Sequence, residues 1–309
     1  MYKMHLYKIY VAGILLLVLL MTSCTNPNNN VSPVNSSGTR DNSPVVREPA
    51  ADGLTTYGSG GATIDASHID QGYVLVNYEG SNPIVKLQIT DPTGILYTYS
   101  LHGAGYETFP LTGGNGNYQF VIFENVSGDQ YATAFSQSID VSILNEYGPY
   151  LYPNQYVNFN SNSKTVAKSS ELATGSTTDL EVVTNIYNYV IKNIKYDNAK
   201  ATSVKSGYLP VVDEILESRS GICFDYAAVM ATMLRSQDIP TRLEVGYAGT
   251  AYHAWISVHL DDLGWVNGII EFDGTQWKLM DPTFASNNSE SALKDFIGDG
   301  SKYQTKYIY

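Results

Sequence analysis

The sequence of 309 residues predicts an α+β fold in which an all-β sandwich domain precedes a mixed domain. Short segments rich in tyrosine, valine and isoleucine recur every 11 to 13 residues in the first half, and turn signals separate them. Apolar residues at helical spacing follow between residues 178 and 237. Alternating, strand-like segments then continue to the C-terminus. This order of elements is typical of two domains of different class.

The first residues have the pattern of a lipoprotein signal. Lys3 and Lys8 precede the apolar run Ile9–Met21, and small residues lead to Cys24. The pattern predicts a signal peptide over residues 1–23, lipidation of Cys24, and a bacterial protein that is exported and lipid-anchored to the cell membrane, facing outside. A membrane-spanning anchor is the alternative, but about 13 apolar residues are fewer than the roughly 20 that cross a bilayer.

The chain is acidic and has few cysteines. Its formal net charge is −12, and it becomes −14 when Lys3 and Lys8 leave with the signal. Such a charge disfavours nucleic acid and electrostatic docking on anionic lipid, so the lipid anchor is the expected membrane contact. After lipidation of Cys24 the chain keeps Cys223 alone, which cannot form an internal disulfide. Cys223 therefore stays free, pairs with another chain or reacts.

The N-terminal half is predicted to contain a tether and a sandwich. Residues 24–56, rich in Asn, Ser and Pro, are expected to be a flexible tether, and residues 57–145 a β-sandwich domain. Exposed tyrosines of this domain would stack on carbohydrate or another wall component; the alternative is that they fill the core of a spacer domain. Six strands are expected to start near Tyr73, Ile84, Ile95, Tyr106, Tyr118 and Tyr131.

Residues 146–309 are predicted to form the second domain. Thr178 and Glu181 have the spacing of a capping box, and apolar residues behind them fall on one helical face. A second helix is expected from about Val211 to Glu217, and a third from Cys223 to about Gln237.

A thiol, an imidazole and a carboxylate follow in this domain as Cys223, His253 and Asp281. Acyl transfer uses such a set: a thiolate attacks, an imidazole carries the proton, and a carboxylate fixes the imidazole tautomer. Cys223 begins its helix, where unpaired N–H groups and the helix dipole favour the thiolate. Each residue also has a structural interpretation, namely an inert buried thiol, a packed strand histidine and a strand end before Pro282.

Four motifs occur in order: Gly221-Ile222-Cys223-Phe224-Asp225-Tyr226-Ala227, Leu234-Arg235-Ser236-Gln237-Asp238-Ile239-Pro240-Thr241-Arg242, Tyr252-His253-Ala254-Trp255 and Trp277-Lys278-Leu279-Met280-Asp281-Pro282-Thr283. In these motifs, over roughly residues 185–285, the chain resembles the transglutaminase-like superfamily of papain-fold cysteine enzymes. The resemblance implies a papain-like core with Cys223 as nucleophile, His253 as general acid and base, and Asp281 as orienting carboxylate. Two departures are Asp238, where the family usually has glycine, and an excursion from Asp261 to Thr275, predicted to be an added hairpin with an Asp273-Gly274 turn.

The resemblance also suggests the rest of the site. Tyr208 lies near where transglutaminases supply an aromatic oxyanion donor, and the Cys223 N–H is the other candidate. No metal site and no cofactor are predicted, because the histidines lack ligand spacing. The expected function is crosslinking or hydrolysis of peptide or protein amides through a thioester, with cell-wall peptide or carbohydrate as a possible partner. The alternative is a non-catalytic cell-wall or carbohydrate-binding surface protein that uses the papain-like core as a scaffold.

Overall fold

The computed structural model of the protein describes residues 40–103, 105–248, 250–267, 270–272, 277–279 and 303–309. Between residues 56 and 141 it has eight strands, which form two antiparallel four-stranded sheets. The strands are β1 (Thr56–Ser59), β2 (Ala62–Asp65), β3 (Tyr73–Tyr78), β4 (Val85–Thr90), β5 (Leu96–Leu101), β6 (Glu107–Pro110), β7 (Gly116–Ser127) and β8 (Gln130–Val141). The sheet orders are β1-β2-β3-β6 and β5-β4-β7-β8.

Alternating side chains build the core of these two sheets. In β4, Val85, Leu87 and Ile89 are buried, whereas Lys86 and Gln88 between them are more exposed. Every residue of β3 is buried, so both faces of that strand are covered. The six predicted strand starts are confirmed to within two residues for β3 to β8, because turn residues separate the strands clearly. Strands β1 and β2 were not among the predicted strands.

Helices and further strands follow in the second half. The described helices are α1 (Lys164–Ala173), α2 (Asp179–Asn193), α3 (Asn198–Ser203), α4 (Val212–Ser218) and α5 (Cys223–Arg235). The described strands are β9 (Lys195–Tyr196), β10 (Ser220–Gly221), β11 (Thr241–Ala248), β12 (Ala251–Leu260), β13 (Gly264–Val266), β14 (Ile270–Phe272), β15 (Trp277–Leu279) and β16 (Tyr303–Ile308). The predicted α+β class is confirmed. In the described part of the chain, no helix has the length and apolar character needed to span a membrane.

A four-stranded antiparallel sheet of order β13-β12-β11-β16 supports the second half. Ala254, Ile256 and Val258 of β12 are buried, and β12 packs against α5. Strand β14 lies in the excursion expected to be an added hairpin, and it pairs antiparallel with β15, which begins at Trp277 in the Asp281 motif. The predicted turn of this hairpin at Asp273-Gly274 lies outside the described residues.

The start of α2 follows from its sequence. The Thr178 hydroxyl accepts from the Glu181 N–H at 3.2 Å, which satisfies one of the free N–H groups at the helix start. The Glu181 carboxylate accepts from the N–H of Thr177 at 2.6 Å. Behind this cap one face of the helix is buried, as the apolar spacing predicts.

Helix α5 is central, since every residue from Asp225 to Arg235 is buried. It contacts three other helices, α1, α2 and α4, and the strands β11 and β12. Arg235 is fully buried, and its guanidinium donates to the backbone carbonyls of Tyr152, Thr241 and Tyr309 at 2.7 to 3.1 Å. These bonds join three distant segments at the C-terminal end of α5.

Residues 40–47, here called the strap, lie against that end of α5. The Val45 N–H donates to the Ser236 carbonyl at 2.8 Å, and Arg47 forms an ion pair with Asp238 at 2.5 Å. Part of the segment expected to be a flexible tether is therefore held by specific contacts. The domain boundaries of the sequence analysis stay predictions.

Candidate active site

Cys223 is the first residue of α5, and its position depends on the residues around it. The buried Asp225 carboxylate accepts from the Ile222 N–H at 2.8 Å, which fixes the turn into the helix. A Cβ on Gly221 would lie 2.7 Å from the Asp225 Cβ, so the close approach of these residues requires glycine. The run Gly221-Ile222-Cys223-Phe224-Asp225 is therefore a local structural unit that presents the thiol.

The environment of the thiol is only partly as predicted. Burial raises the pKa of Cys223 above its usual value, and backbone N–H donors from Ala254 and Phe224 offset this only in part. The Asp225 carboxylate raises the pKa of the thiol further. The N–H groups at the helix start lower the pKa of the thiol, as predicted. Desolvation raises this pKa by more and so favours the neutral thiol.

His253 lies on β12, and this strand passes close to the Cys223 thiol. Because the Ala254 N–H donates to the Cys223 sulfur, the peptide bond between His253 and Ala254 lies at the thiol. The His253 side chain is 8% exposed, and its ring stacks near the Trp255 ring with centroids 6.4 Å apart. Strand pairing puts His253 opposite Gly246, where a Cβ would come within 2.0 Å of the Gln304 carbonyl oxygen. The packing of α5 on β12 thus brings Cys223 and the residue that follows His253 together.

The structure does not describe two of the predicted site residues. Asp281 and the lipidation site Cys24 both lie outside the described residues. Within the described residues, no group of three or more His, Cys, Asp or Glu side chains is placed to hold a metal ion.

Tyr208 belongs to a charged cluster around Asp225. Its hydroxyl donates to one Asp225 oxygen at 2.6 Å, and the Lys200 ammonium donates to the other at 2.6 Å. The same ammonium donates to the Tyr208 hydroxyl at 2.7 Å. Burial and the Asp225 carboxylate both raise the pKa of Tyr208, so this phenol stays protonated. Asp225, Lys200 and Tyr208 together form a hydrogen-bonded network close to Cys223.

Tyr196 is the site residue that sequence reasoning missed. Its hydroxyl accepts from the Cys223 N–H, and burial followed by the nearby Cys223 sulfur raises the pKa of Tyr196. The parallel pairing of β9 with β10 sets Tyr196 opposite Gly221 and so beside the nucleophile. This pairing joins residues 25 positions apart in the chain, so no local sequence pattern predicts it.

The relationship to known proteins follows from sequence comparison. Residues 166–268 match the model of the transglutaminase-like superfamily. This part of the chain is therefore similar to a transglutaminase-like domain. Both Cys223 and His253 lie within the matched residues of this domain, whereas Asp281 lies beyond them.

Two curated relatives match the chain over short segments. UPF0252 protein MJ1282 of Methanocaldococcus jannaschii is 30% identical in an alignment of 92 residues that covers 26% of this chain and 26% of that protein. A protein-glutamine gamma-glutamyltransferase of Pseudomonas aeruginosa is 33% identical in an alignment of 99 residues that covers 30% of this chain and 14% of that protein. The chain therefore spans well under half the length of either relative.

Solved structures with weak similarity include a candidate cysteine protease from Cytophaga hutchinsonii. It is 16% identical, with a TM-score of 0.33, over 74% of this chain and 69% of that one. Red sea bream transglutaminase is 14% identical, with a TM-score of 0.29, over 73% of this chain and 53% of that one.

Proposed function

We propose that the transglutaminase-like domain is a thiol enzyme that acts on peptide or protein amides through Cys223, His253 and Asp281. The observation that supports this most directly is the Ala254 N–H at the Cys223 thiol, because it places the residue following His253 against the nucleophile. The match to a superfamily that includes a gamma-glutamyltransferase supports the same reaction class.

The proposed first step is acylation. Cys223 gives its proton to His253, and the sulfur attacks the amide carbonyl carbon to form a tetrahedral oxyanion. The carbon–nitrogen bond then breaks, His253 returns the proton to the leaving amine, and a thioester remains on Cys223. Because burial raises the pKa of the thiol, an imidazole partner is needed to generate the thiolate near neutral pH.

The oxyanion requires donors at the N-terminus of α5. The Cys223 N–H points at the Tyr196 hydroxyl, so an oxygen that takes this N–H also comes within reach of the Tyr196 O–H. Tyr208, the donor expected from the resemblance, instead donates to Asp225. We assign the oxyanion to the Cys223 N–H with Tyr196 as its side-chain partner, and Tyr208 to the support of Asp225.

The second step decides the product. An amine that attacks the thioester gives a crosslinked amide, and water gives hydrolysis; both release the Cys223 thiol. We also propose, from the N-terminal residues, that the protein is exported and held at the bacterial membrane by a lipid on Cys24. Its substrates would then be peptides or proteins outside the cell.

The test uses the full chain, a glutamine-containing peptide library, and parallel reactions with and without a primary amine donor. Parent protein should release ammonia in both reactions and incorporate the amine only if it crosslinks. Cys223→Ala should lose all turnover and retain its thermal unfolding temperature, because a small side chain at a helix end contributes little packing. Full turnover by a folded Cys223→Ala protein would exclude the thiol mechanism.

A further inference from the structure

A cavity of about 530 Å³ lies between the strap and the residues that follow α5. This volume is in the range of small-molecule sites. The residues used below are Arg40, Arg47, Tyr147, Gln237, Asp238 and His259, all of which line it. Helix α5 has 13 residues, which at 1.5 Å per residue separates Gln237 from Cys223 by about 20 Å. The cavity is therefore separate from the candidate active site.

Two buried donors in the cavity wall lack partners. Gln237 is 2% exposed, and its Oε1 accepts from an Arg40 nitrogen at 3.2 Å. Since arginine only donates, this bond fixes the orientation of the amide and identifies the other atom as the Nε2 donor. That Nε2 and the Nε of Arg47 have no hydrogen-bond partner among the described residues. Buried donors without partners are rare in folded proteins, and a ligand with acceptor oxygens would satisfy both.

The charges of the cavity disfavour an anion, and its geometry disfavours a metal ion. Arg40 is paired with Asp179 at 2.6 Å and Arg47 with Asp238 at 2.5 Å, so both guanidinium charges are already compensated. Two further carboxylates, of Asp41 and Asp261, line the cavity. An anion would face these carboxylates without a free cation, and in the described residues no acidic cluster has the geometry to hold a metal ion.

An aromatic wall completes the cavity. The rings of Tyr147 and His259 are 4.5 Å apart, and the Tyr147 hydroxyl lies 3.1 Å from His259 Nε2. We propose that this cavity binds a neutral, hydroxyl-rich ligand of one or two sugar rings. Sugar hydroxyls accept from Gln237 Nε2 and Arg47 Nε while they donate to the carboxylates of Asp41 and Asp261. The sugar ring packs on the aromatic wall formed by Tyr147 and His259.

The test is isothermal titration of the full chain with glucose, N-acetylglucosamine, maltose and diacetylchitobiose, and separately with sodium phosphate and sodium acetate. At least one sugar should bind saturably, with a Kd of about 1 mM or tighter. Gln237→Glu, which replaces the Nε2 donor by an acceptor and keeps the bond from Arg40, should weaken that binding at least tenfold. The exposed Gln130→Glu is the matched control and should leave it unchanged.

A second variant guards against misfolding of the first. Asp41 is exposed, so Asp41→Asn should fold normally and weaken the sugar at least threefold by exchanging one acceptor oxygen for a donor. The proposal is overturned if no sugar binds saturably, if neither variant changes the affinity, or if phosphate or acetate binds more tightly than every sugar.

Discussion

The backbone N–H of Ala254 donates to the thiol of Cys223, which joins the start of the central helix to the strand that carries His253. The contact crosses 31 positions of sequence, and it is made by a main-chain group that no side-chain substitution removes. The backbone therefore adds a contact between helix and strand to the packing of their buried side chains.

Reactivity of the thiol should depend on His253 in a specific direction. Burial raises the pKa of Cys223, so the thiol alone is neutral below its raised pKa and ionises only as pH rises through it. His253→Ala should therefore move the midpoint of iodoacetamide alkylation to a higher pH than in the parent, because the imidazolium that stabilises the thiolate is lost. Both midpoints should lie above about 8.5, the value for free cysteine, because burial raises the pKa of the thiol in parent and variant alike. Superimposable pH profiles would remove His253 from the mechanism.

Asp281→Asn should affect catalysis without affecting binding. The carboxylate makes no bond to substrate; it holds the imidazole of His253 and stabilises its charged form. We expect kcat to fall by a factor on the order of 10³ to 10⁴ with KM nearly unchanged. The alkylation midpoint of Cys223 should rise in the same variant. If both quantities match the parent, another carboxylate, such as Asp273, orients the histidine.

Tyr196→Phe should lower the catalytic rate, whereas Tyr208→Phe should lower the stability of the protein. Loss of the Tyr196 hydroxyl beside the Cys223 N–H should lower kcat by a factor on the order of 10², with the unfolding temperature preserved. Loss of the Tyr208 hydroxyl removes a donor from the fully buried Asp225 and should cost about 1–3 kcal/mol of stability. Steady-state kinetics and urea unfolding of both variants test this pattern, and the reverse pattern would return the oxyanion role to Tyr208.

Arg235→Met should strongly destabilise the protein. The guanidinium satisfies carbonyls of three segments in the interior. Methionine removes this donor from all three, and the Tyr309 oxygen keeps only the Leu243 N–H. We expect a loss of about 3 kcal/mol or more in the free energy of unfolding. The exposed Lys205→Met should change it by less than about 0.5 kcal/mol. Equal urea midpoints for the two variants would show that the carbonyls find other donors.

Cys24→Ser tests the lipid anchor. A lipid chain is the only apolar anchor that we propose for the mature protein, so the variant should leave the membrane fraction or fail to mature. Metabolic labelling with a fatty acid should mark the parent and spare the variant. Label on Cys24→Ser, or none on the parent, would contradict the anchor.

Local signals predicted most of the fold. Turn residues gave the starts of β3 to β8, and capping with apolar spacing gave α2, α4 and α5. Helix α1 has no clear apolar stripe because its inner face is polar: Thr165 donates to Asp213, and Ser169 donates to the Met233 carbonyl. Such polar packing depends on partners far along the chain, so helical spacing does not reveal it.

Part of the candidate site can likewise be predicted from local sequence motifs, and the rest depends on contacts between distant residues. The order of Cys223, His253 and Asp281 is visible in the sequence because each lies in its own short motif. The role of Tyr196 and the contact of Lys200 with Asp225 depend on pairing across about 25 positions. Desolvation is the largest influence on the pKa of the Cys223 thiol. It results from the packing around the thiol, which a sequence motif does not reveal.

Asp238 has a φ of 59°, in the left-handed region that favours glycine, at the position where the family usually has glycine. An aspartate tolerates this conformation better than most residues, and here its carboxylate reaches Arg47 of the strap. A fragment designed from the family match alone, beginning at residue 166, would therefore lack Arg47, the ion-pair partner of this carboxylate. It would also expose the Ser236 carbonyl, which accepts from Val45. A soluble fragment that contains α5 should be designed to start before Arg40, or to carry Asp238→Gly if it starts later.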